Sequence, residues 1–276
     1  MSVGCLQAAE LKRKAAEVQT IKRARTDQEQ KALNEQLRAL CNPARHVTLN
    51  NLLQQGADPN AVGSSGNSAF FESVVDGDLG TVALFIERGA RLNDQNAGGR
   101  TPLLVASEKG HLEVVRLLLS KEGIDINKPA KNGLTPLIFA SWKGHLEIVR
   151  VLLSKEGIDV NKPKNEGITS LIIASFQGHL EVVRLLLSKE GVDVNKCAIH
   201  GDTAINSASF SGHLEVVKEL VAQGADRRIL FKGSKTAEDL AREKGHGEIA
   251  DYLKSLRERD DEMSAANALH ALDSQR

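Results

Sequence analysis

The chain of 276 residues carries 36 Lys or Arg and 36 Asp or Glu, so its formal net charge is zero. This balance excludes a protein whose whole surface binds nucleic acid or another polyanion. Aromatic residues make up only 3% of the sequence, which argues against one thick core and favours many small, similar layers. The three cysteines are odd in number and far apart, which excludes a disulfide framework or a cysteine-rich zinc module and fits a reducing compartment.

Residues 1–34 form a charge-rich N-terminal arm, which we expect to be helical or disordered. Its two basic clusters consist of Lys12, Arg13 and Lys14, and of Lys22, Arg23 and Arg25. They resemble a bipartite nuclear-import signal with a short spacer and would also suit a polyanion; the alternative is a solvated tail without a specific role. The sequence shows neither an apolar transmembrane stretch nor a secretory leader, so we expect a cytoplasmic or nuclear protein without a membrane partner.

Internal repeats dominate the rest of the chain. A threonine recurs every 34 residues, at Thr101, Thr135, Thr169 and Thr203. Gly-His pairs keep the same spacing and begin at Gly110, Gly144, Gly178 and Gly212. Near-copies follow these pairs, such as GHLEVVRLLLSKEGIDIN and GHLEIVRVLLSKEGIDVN. Self-similarity at a fixed period predicts a stack of alike supersecondary units.

Each unit carries the signals of two short helices. Thr101 can cap the first helix through its hydroxyl, and Pro102 fits the first helical position, where a missing N–H costs nothing. Gly110 ends this helix, a second helix with apolar residues at helical spacing follows at 111–120, and Gly123 ends that one. An extended turn then leads to the next unit. Because neither helix alone can bury its apolar side, we expect the units to stack as a solenoid.

These residues resemble the ankyrin repeat. The segments TPLLVA from Thr101 and TPLIFA from Thr135 match the family motif T-P-L-H-x-A except at its histidine. The resemblance covers about 35–256 and implies an all-α ankyrin-repeat solenoid of helix-turn-helix units joined by short hairpin-like turns. The fuller repeats lie at about 64–97, 98–131, 132–165, 166–199 and 200–232. Degenerate caps are expected at about 35–63 and 233–256, and a C-terminal tail at 257–276.

The sequence departs from the family pattern in two ways. The motif histidine is replaced by Leu104, Ile138, Ile172 and Asn206, so we expect its hydrogen-bond network to be absent or rebuilt. Three units also carry one extra residue in the sequence Ser-Lys-Glu-Gly. We expect this insertion to lengthen the end of the second helix slightly.

No catalytic motif is present: the sequence lacks a nucleophile elbow, a phosphate-binding loop and a zinc-binding helix. The histidines of the Gly-His pairs recur once per layer, and the family resemblance implies that they link backbone groups of the loops. Glu and Arg or Lys three residues apart, as in Glu113 and Arg116, indicate ordinary ion pairs on a helix face. We therefore expect no enzyme activity, no cofactor, no metal site and no small-molecule substrate.

The repeats differ most informatively at the two residues before each Gly-His pair. In proteins that resemble ankyrin repeats, this end of the first helix and the turn tips form the concave recognition surface. Aromatic residues occupy the first position in three consecutive units, namely Trp142, Phe176 and Phe210. Since stacked helices lie about 8–10 Å apart, their rings are expected to form a contiguous apolar strip. We interpret the strip as a partner-binding surface; the alternative is that the rings only pack against neighbouring helices.

Further partner-binding candidates surround this strip. They are Glu108, Lys109, Lys143 and Gln177 at the same helix ends, and Leu134 and Ile168 at the turn tips. We expect Leu134 and Ile168 to extend an apolar groove with Arg100 and Asp202 as its charged ends, which suits an amphipathic helix or an extended peptide. The predicted function is a non-catalytic scaffold or adaptor for another protein. The alternative is a nuclear regulator that uses the N-terminal arm for import or nucleic-acid contact.

Three asparagines form a separate pattern. Asn127, Asn161 and Asn195 each end an Asp-Ile/Val-Asn turn, with a leucine eight residues earlier. This pattern resembles the acceptor sequence of the asparaginyl hydroxylase that modifies ankyrin repeats, so all three are candidate hydroxylation sites. The simpler interpretation, which we favour, is that asparagine suits the turn.

Overall fold

The computed structural model describes residues 26–38, 46–63 and 65–273. The chain divides into two compact units, Met1–Ala97 and Gly98–Arg276, at a predicted boundary between repeats. The first contains α1 (26–38), α2 (His46–Gln54), α3 (Ala69–Asp76) and α4 (Leu79–Glu87). The second contains α5 (Pro102–Lys109), α6 (Leu112–Leu119), α7 (Pro136–Lys143), α8 (Leu146–Leu153), α9 (Ser170–Gln177), α10 (Leu180–Leu187), α11 (Ala204–Ser211), α12 (Leu214–Ala222), α13 (Ala237–Glu243) and α14 (Gly247–Asp273). Within the described ranges, β structure is limited to isolated bridges, so the predicted all-α class is confirmed.

In the first unit, α1 crosses the predicted boundary between arm and cap at 34–35. Leu37 is fully buried, and Asn34 Oδ1 accepts a hydrogen bond from the backbone N–H of Asp58 at 2.8 Å. Arg38 Nη2 donates to the carbonyl of Val62 at 3.0 Å. The described part of the predicted arm is therefore attached to the turn that follows α2. The basic clusters at 12–14 and 22–25 lie outside the described residues.

The helix ends of the second unit follow the predicted capping chemistry. The hydroxyl of Thr101 accepts the N–H of Leu104 at 3.2 Å, and threonines 34 residues apart repeat this bond at α7, α9 and α11. A glycine in the left-handed conformation closes each of these helices, as Gly110 does at φ 82°. Each threonine satisfies a free N–H of the first turn, and glycine adopts a positive φ without strain. Local chemistry thus sets the lengths of these four helices.

The first helices of the second unit pack in chain order, α5 on α7, α7 on α9, α9 on α11 and α11 on α13. An alanine recurs at their centre and is fully buried, at Ala106, Ala140, Ala174 and Ala208. The small side chains allow the helices to approach closely. Behind them lie the second helices, whose buried faces carry valine and leucine, such as Val149 and Leu152 of α8. Because this two-helix layer repeats, the C-terminal ends of successive first helices lie next to each other.

The extra residue of the Ser-Lys-Glu-Gly units does not lengthen the second helix, so that expectation was wrong. The helices of these units have 8 residues and end at Leu119, Leu153 and Leu187, whereas α12, which lacks the insertion, has 9. The hydroxyl of Ser120 donates to the carbonyl of Leu117 at 2.7 Å. Because the serine side chain competes for a helical carbonyl, the extra residue enters the turn.

A column of buried serines offers a direct test of the packing between first helices. Ser107, Ser141, Ser175 and Ser209 are all fully buried. Ser107 donates to the carbonyl of Leu103 at 2.7 Å, whereas the hydroxyl of Ser175 has no hydrogen-bond partner. Removing an unpaired buried hydroxyl relieves its desolvation, whereas removing a paired one loses a bond.

We therefore expect Ser175→Ala to raise the free energy of unfolding relative to Ser107→Ala, by about 1 to 2 kcal/mol. Both substitutions replace serine by alanine in a helix and so change helix propensity by the same amount. The difference between their free energies of unfolding therefore reports the hydrogen bonding of the hydroxyl group. Urea unfolding of the two variants beside the wild type measures it. Equal stability of the two variants would contradict the hydrogen-bond assignment.

Candidate functional site: an aromatic cleft

The ends of α7, α9 and α11 carry the three aromatic residues that the sequence singled out. Trp142, Phe176 and Phe210 are 36%, 46% and 38% exposed, whereas Phe70, Phe71, Phe85 and Phe139 are buried. Each ring occupies the same place in its repeat, one residue before the end of its helix. The structure thus places the predicted strip on one exposed surface of the second unit.

The rings of this surface form two stacked pairs. Phe139 and Trp142 lie 6.0 Å apart between ring centroids at an interplanar angle of 20°, and Phe176 and Phe210 lie 6.5 Å apart at 22°. Phe139 is buried, and its ring packs against that of the exposed Trp142. The predicted contiguous strip is therefore organised as two pairs, and Phe139, which precedes Trp142 by three residues on the same helix face, belongs to it.

A cleft of about 690 Å³ is lined by three of these rings, Phe139, Trp142 and Phe176. Four of the predicted partner-binding residues line it besides Trp142 and Phe176, namely Glu108, Leu134, Lys143 and Ile168. Phe210, Lys109 and Gln177 do not line it. Residues outside the predicted partner-binding set also line the cleft: Asn132, Phe139, Lys164, Ile172, Ile173 and Ser207. Ile173 and Ser207 sit three residues before an aromatic residue, as Phe139 does, and this helical spacing was the signal that could have identified them.

Positive charges lie against the aromatic rings. Arg100 pairs with Glu108 at 2.9 Å, and its guanidinium carbon lies 5.5 Å from the centroid of Phe139. Lys143 Nζ lies 5.3 Å from the ring of Trp142, and Lys244 Nζ lies 4.5 Å from that of Phe210. A cation over a ring face is attracted by the ring quadrupole. The aromatic surface therefore combines apolar and cationic character.

At its other end the cleft carries the carboxyl group of Asp202, as predicted for a charged end. Asp202 is half-buried, and its two oxygens accept the hydroxyl of Ser207 at 3.0 and 3.2 Å. Burial raises the pKa of the Asp202 carboxyl, and the hydrogen bond from Ser207 opposes this shift. No ion pair of the described residues includes Asp202, so the charge of this end is not neutralised internally.

Comparison with known sequences identifies the repeat. A family model described as ankyrin repeats (3 copies) matches residues 38–130, 123–197 and 171–263. The chain belongs to the ankyrin repeat family. It is 33% identical over 76 residues to a Notch-regulated ankyrin repeat-containing protein of Xenopus laevis, covering 28% of this chain and 67% of that protein. It is 30% identical over 92 residues to the B form of Danio rerio, covering 33% and 83%.

A further similarity is to the potassium channel AKT1 of Oryza sativa, at 31% identity over 74 residues. These residues are 27% of this chain and 8% of the channel, so the chain spans only a small part of that relative. Ankyrin repeats are generally protein–protein interaction modules, and the family is generally non-catalytic. In the part of the chain that the structure describes, no helix is both long and apolar enough to cross a membrane.

The histidines of the ankyrin repeats fix the helix ends that carry the rings. Nε2 of His179 lies 3.1 Å from the carbonyl oxygen of Trp142, and Nε2 of His213 lies 3.0 Å from that of Phe176. His145 and His246 make the same contact with Glu108 and Phe210, both at 3.2 Å. Each histidine therefore ties the end of one first helix to the next repeat, which agrees with a structural role.

Asn206 partly rebuilds the network that the missing motif histidine would make. Its Nδ2 donates to the carbonyl of Gly201 at 3.2 Å and to that of Ile229 at 3.3 Å. Leu104, Ile138 and Ile172, at the same place in other repeats, are buried apolar residues. The network is thus replaced by apolar packing in three layers and by an amide in the fourth.

The candidate hydroxylation sites do not line the cleft; they link one ankyrin repeat to the next. Asn127 Nδ2 donates to the carbonyl of Gly157 at 2.6 Å, and its Oδ1 accepts the N–H of Asp159 at 3.0 Å. Asn161 and Asn195 form the same pair of bonds one and two repeats later. This double use of the amide supports the interpretation that asparagine suits the turn, and hydroxylation stays a prediction.

One turn tip beside the cleft holds a residue in an unfavourable conformation. Glu166 has φ 70° and precedes Gly167, which has φ 83°. A side chain with a Cβ in the left-handed region is strained by about 1 kcal/mol or more, whereas glycine is not. Glu156, in the next turn upstream, also precedes a glycine but lacks a positive φ.

We therefore expect Glu166→Gly to raise the free energy of unfolding by about 1 kcal/mol. Glu156→Gly is the matched control, because it removes the same side chain without relieving strain, and we expect it to leave stability unchanged or lower. Thermal and urea unfolding of the two variants provide the measurement. A stabilisation of both variants, or of neither, would contradict the strain assigned to Glu166.

Proposed function

We propose that the protein is a non-catalytic scaffold or adaptor that binds a partner protein in the cleft between Trp142 and Phe176. The observation that carries this proposal is the exposure of aromatic rings at the same place in three consecutive ankyrin repeats. Exposed apolar clusters are expensive in water unless a partner covers them. Buried aromatic anchors also contribute most to the affinity of protein interfaces.

The shape and chemistry of the cleft support a peptide-like occupant. Its lining includes the aliphatic side chains of Leu134, Ile168 and Ile172 together with charged side chains. Because the wall is contributed by four consecutive repeats, a ligand lying along the stack meets apolar contacts throughout its length. An extended segment or one face of an amphipathic helix has this form. The family's general role in protein interaction is consistent with this proposal.

Affinity purification from the native cell, with quantitative mass spectrometry, tests the proposal. The bait is the full chain as wild type, as Trp142→Ala/Phe176→Ala, and as the control Ile199→Ala/Leu230→Ala. Ile199 and Leu230 are 56% and 44% exposed and do not line the cleft. Circular dichroism checks that all three proteins fold.

We expect a defined set of partners that is lost with Trp142→Ala/Phe176→Ala and retained with the control. The loss should be about thirtyfold or more in affinity for each ring removed, since truncating an aromatic anchor often weakens binding by about 2 kcal/mol or more. Partners that persist with both variants would overturn the cleft as the binding site.

A further inference from the structure

We propose that the partner segment bound in the cleft carries an arginine whose guanidinium stacks on Phe176 and pairs with Asp202. This inference rests on the proposed function and specifies the chemistry of the ligand. It follows from three observations. The carboxylate of Asp202 has no cationic partner, and no cation lies over the ring of Phe176. Elsewhere in the same cleft, one arginine binds a carboxylate and an aromatic ring at the same time.

Asp202 is the negative group that the cleft leaves without a cation. The other carboxylate of the wall, Glu108, is neutralised by Arg100 through two contacts at 2.9 and 3.5 Å. The carboxyl group of Asp202 accepts only the neutral hydroxyl of Ser207 among the hydrogen bonds and ion pairs of the described residues. A half-buried carboxylate gains most from a charged donor, because water screens the interaction less than at an open surface.

Phe176 is the ring that the cleft leaves without a cation. A cation lies over each of the other rings at this surface. The three pairs are Arg100 over Phe139, Lys143 over Trp142 and Lys244 over Phe210. In the described part of the chain, no lysine or arginine lies over Phe176, although it is the most exposed of the four. Phe176 and Asp202 line the same cleft.

The opposite end of the cleft displays the arrangement that the ligand would reproduce. Arg100 stacks over Phe139 while its guanidinium nitrogens bind Glu108. A planar guanidinium can do both at once, because its faces and its N–H edge are separate, whereas an ammonium group acts as a point charge. Asp202 and Arg100 occupy equivalent positions in their repeats, each directly before the capping threonine. At this position the chain therefore has a negative charge in one repeat and a positive charge in the other.

Selection from a random dodecapeptide phage library against the full chain tests the proposal. Binders are synthesised with a fluorescein label. Their dissociation constants are measured by anisotropy against the wild type, Asp202→Asn and Trp142→Ala/Phe176→Ala. Asp202→Asn keeps an oxygen that can accept the Ser207 hydroxyl. Glu190→Gln is the control, because it removes one negative charge at an exposed residue that does not line the cleft.

We expect arginine to be enriched in the selected peptides and Asp202→Asn to weaken binding about tenfold or more, while Glu190→Gln does not. Replacing the arginine of the peptide by citrulline keeps the side-chain shape and removes the charge. This replacement should weaken binding to the wild-type protein by about the same factor as Asp202→Asn does. The two losses should not add, because both remove one interaction.

The remaining outcomes separate the two proposals. Peptides that need Trp142 and Phe176, but show no arginine and bind Asp202→Asn as tightly as the wild type, overturn the arginine and leave the proposed function standing. Additive losses from Asp202→Asn and citrulline overturn the arginine as well. Peptides that bind Trp142→Ala/Phe176→Ala as tightly as the wild type overturn both, as does a library without any binder.

Discussion

Alanine at Gly178 is expected to lower the free energy of unfolding by about 3 to 4 kcal/mol, because the new Cβ meets two obstacles. Gly178 has φ 72°, a conformation that residues with a Cβ adopt only with strain. The added carbon would also lie 2.5 Å from Nδ1 of His213. That ring cannot move away without breaking its contact with the carbonyl of Phe176 at 3.0 Å. Urea unfolding of Gly178→Ala measures the effect.

Gly191→Ala separates the two contributions. Gly191 has a similar φ of 80°, but a Cβ there would meet nothing within 4 Å. We expect this control to lose about 1 to 2 kcal/mol, from backbone strain alone. Equal losses at Gly178 and Gly191 would contradict the close contact with His213. A clear difference would establish that the Gly-His pairs lock successive repeats together beneath the aromatic cleft.

The local chemistry of each repeat made the helices predictable from sequence. Thr101, Pro102 and Gly110 bound a helix that the structure places at Pro102–Lys109. Their signals act within one turn, since a threonine hydroxyl caps an N–H three residues on and a glycine closes a helix by its own φ. The exposed rings were predictable for a similar reason, because position within the repeat fixes which side of the helix a residue occupies.

Contacts between side chains of different repeats were not predictable in the same way. The sequence indicates that Trp142, Phe176 and Phe210 share a column, but not that Phe176 stacks on Phe210 while Trp142 stacks on Phe139. Ring orientation depends on packing at neighbouring helices. The extra residue of the Ser-Lys-Glu-Gly turns was misjudged because Ser120 competes for a backbone carbonyl, which a count of residues does not reveal.

Alanine at Asn161 is expected to lower the free energy of unfolding by about 2 kcal/mol, since it removes two hydrogen bonds between repeats. Nδ2 of Asn161 donates to the carbonyl of Gly191 at 2.7 Å, and its Oδ1 accepts the N–H of Asp193 at 2.9 Å. Asn165→Ala is the matched control, because no hydrogen bond of the described residues involves that exposed side chain. Urea unfolding compares the two variants.

The size of this effect also bears on the candidate hydroxylation sites. If Asn161→Ala costs no more stability than Asn165→Ala, the two bridging bonds contribute little, and the turn gives no structural reason for asparagine at 127, 161 and 195. If it costs about 2 kcal/mol, stability alone accounts for the residue. Modification then requires evidence of its own: an added oxygen on these asparagines, found by mass spectrometry in a cell that contains the hydroxylase. Unmodified asparagine in that cell would remove the hydroxylation hypothesis while leaving the bridging role intact.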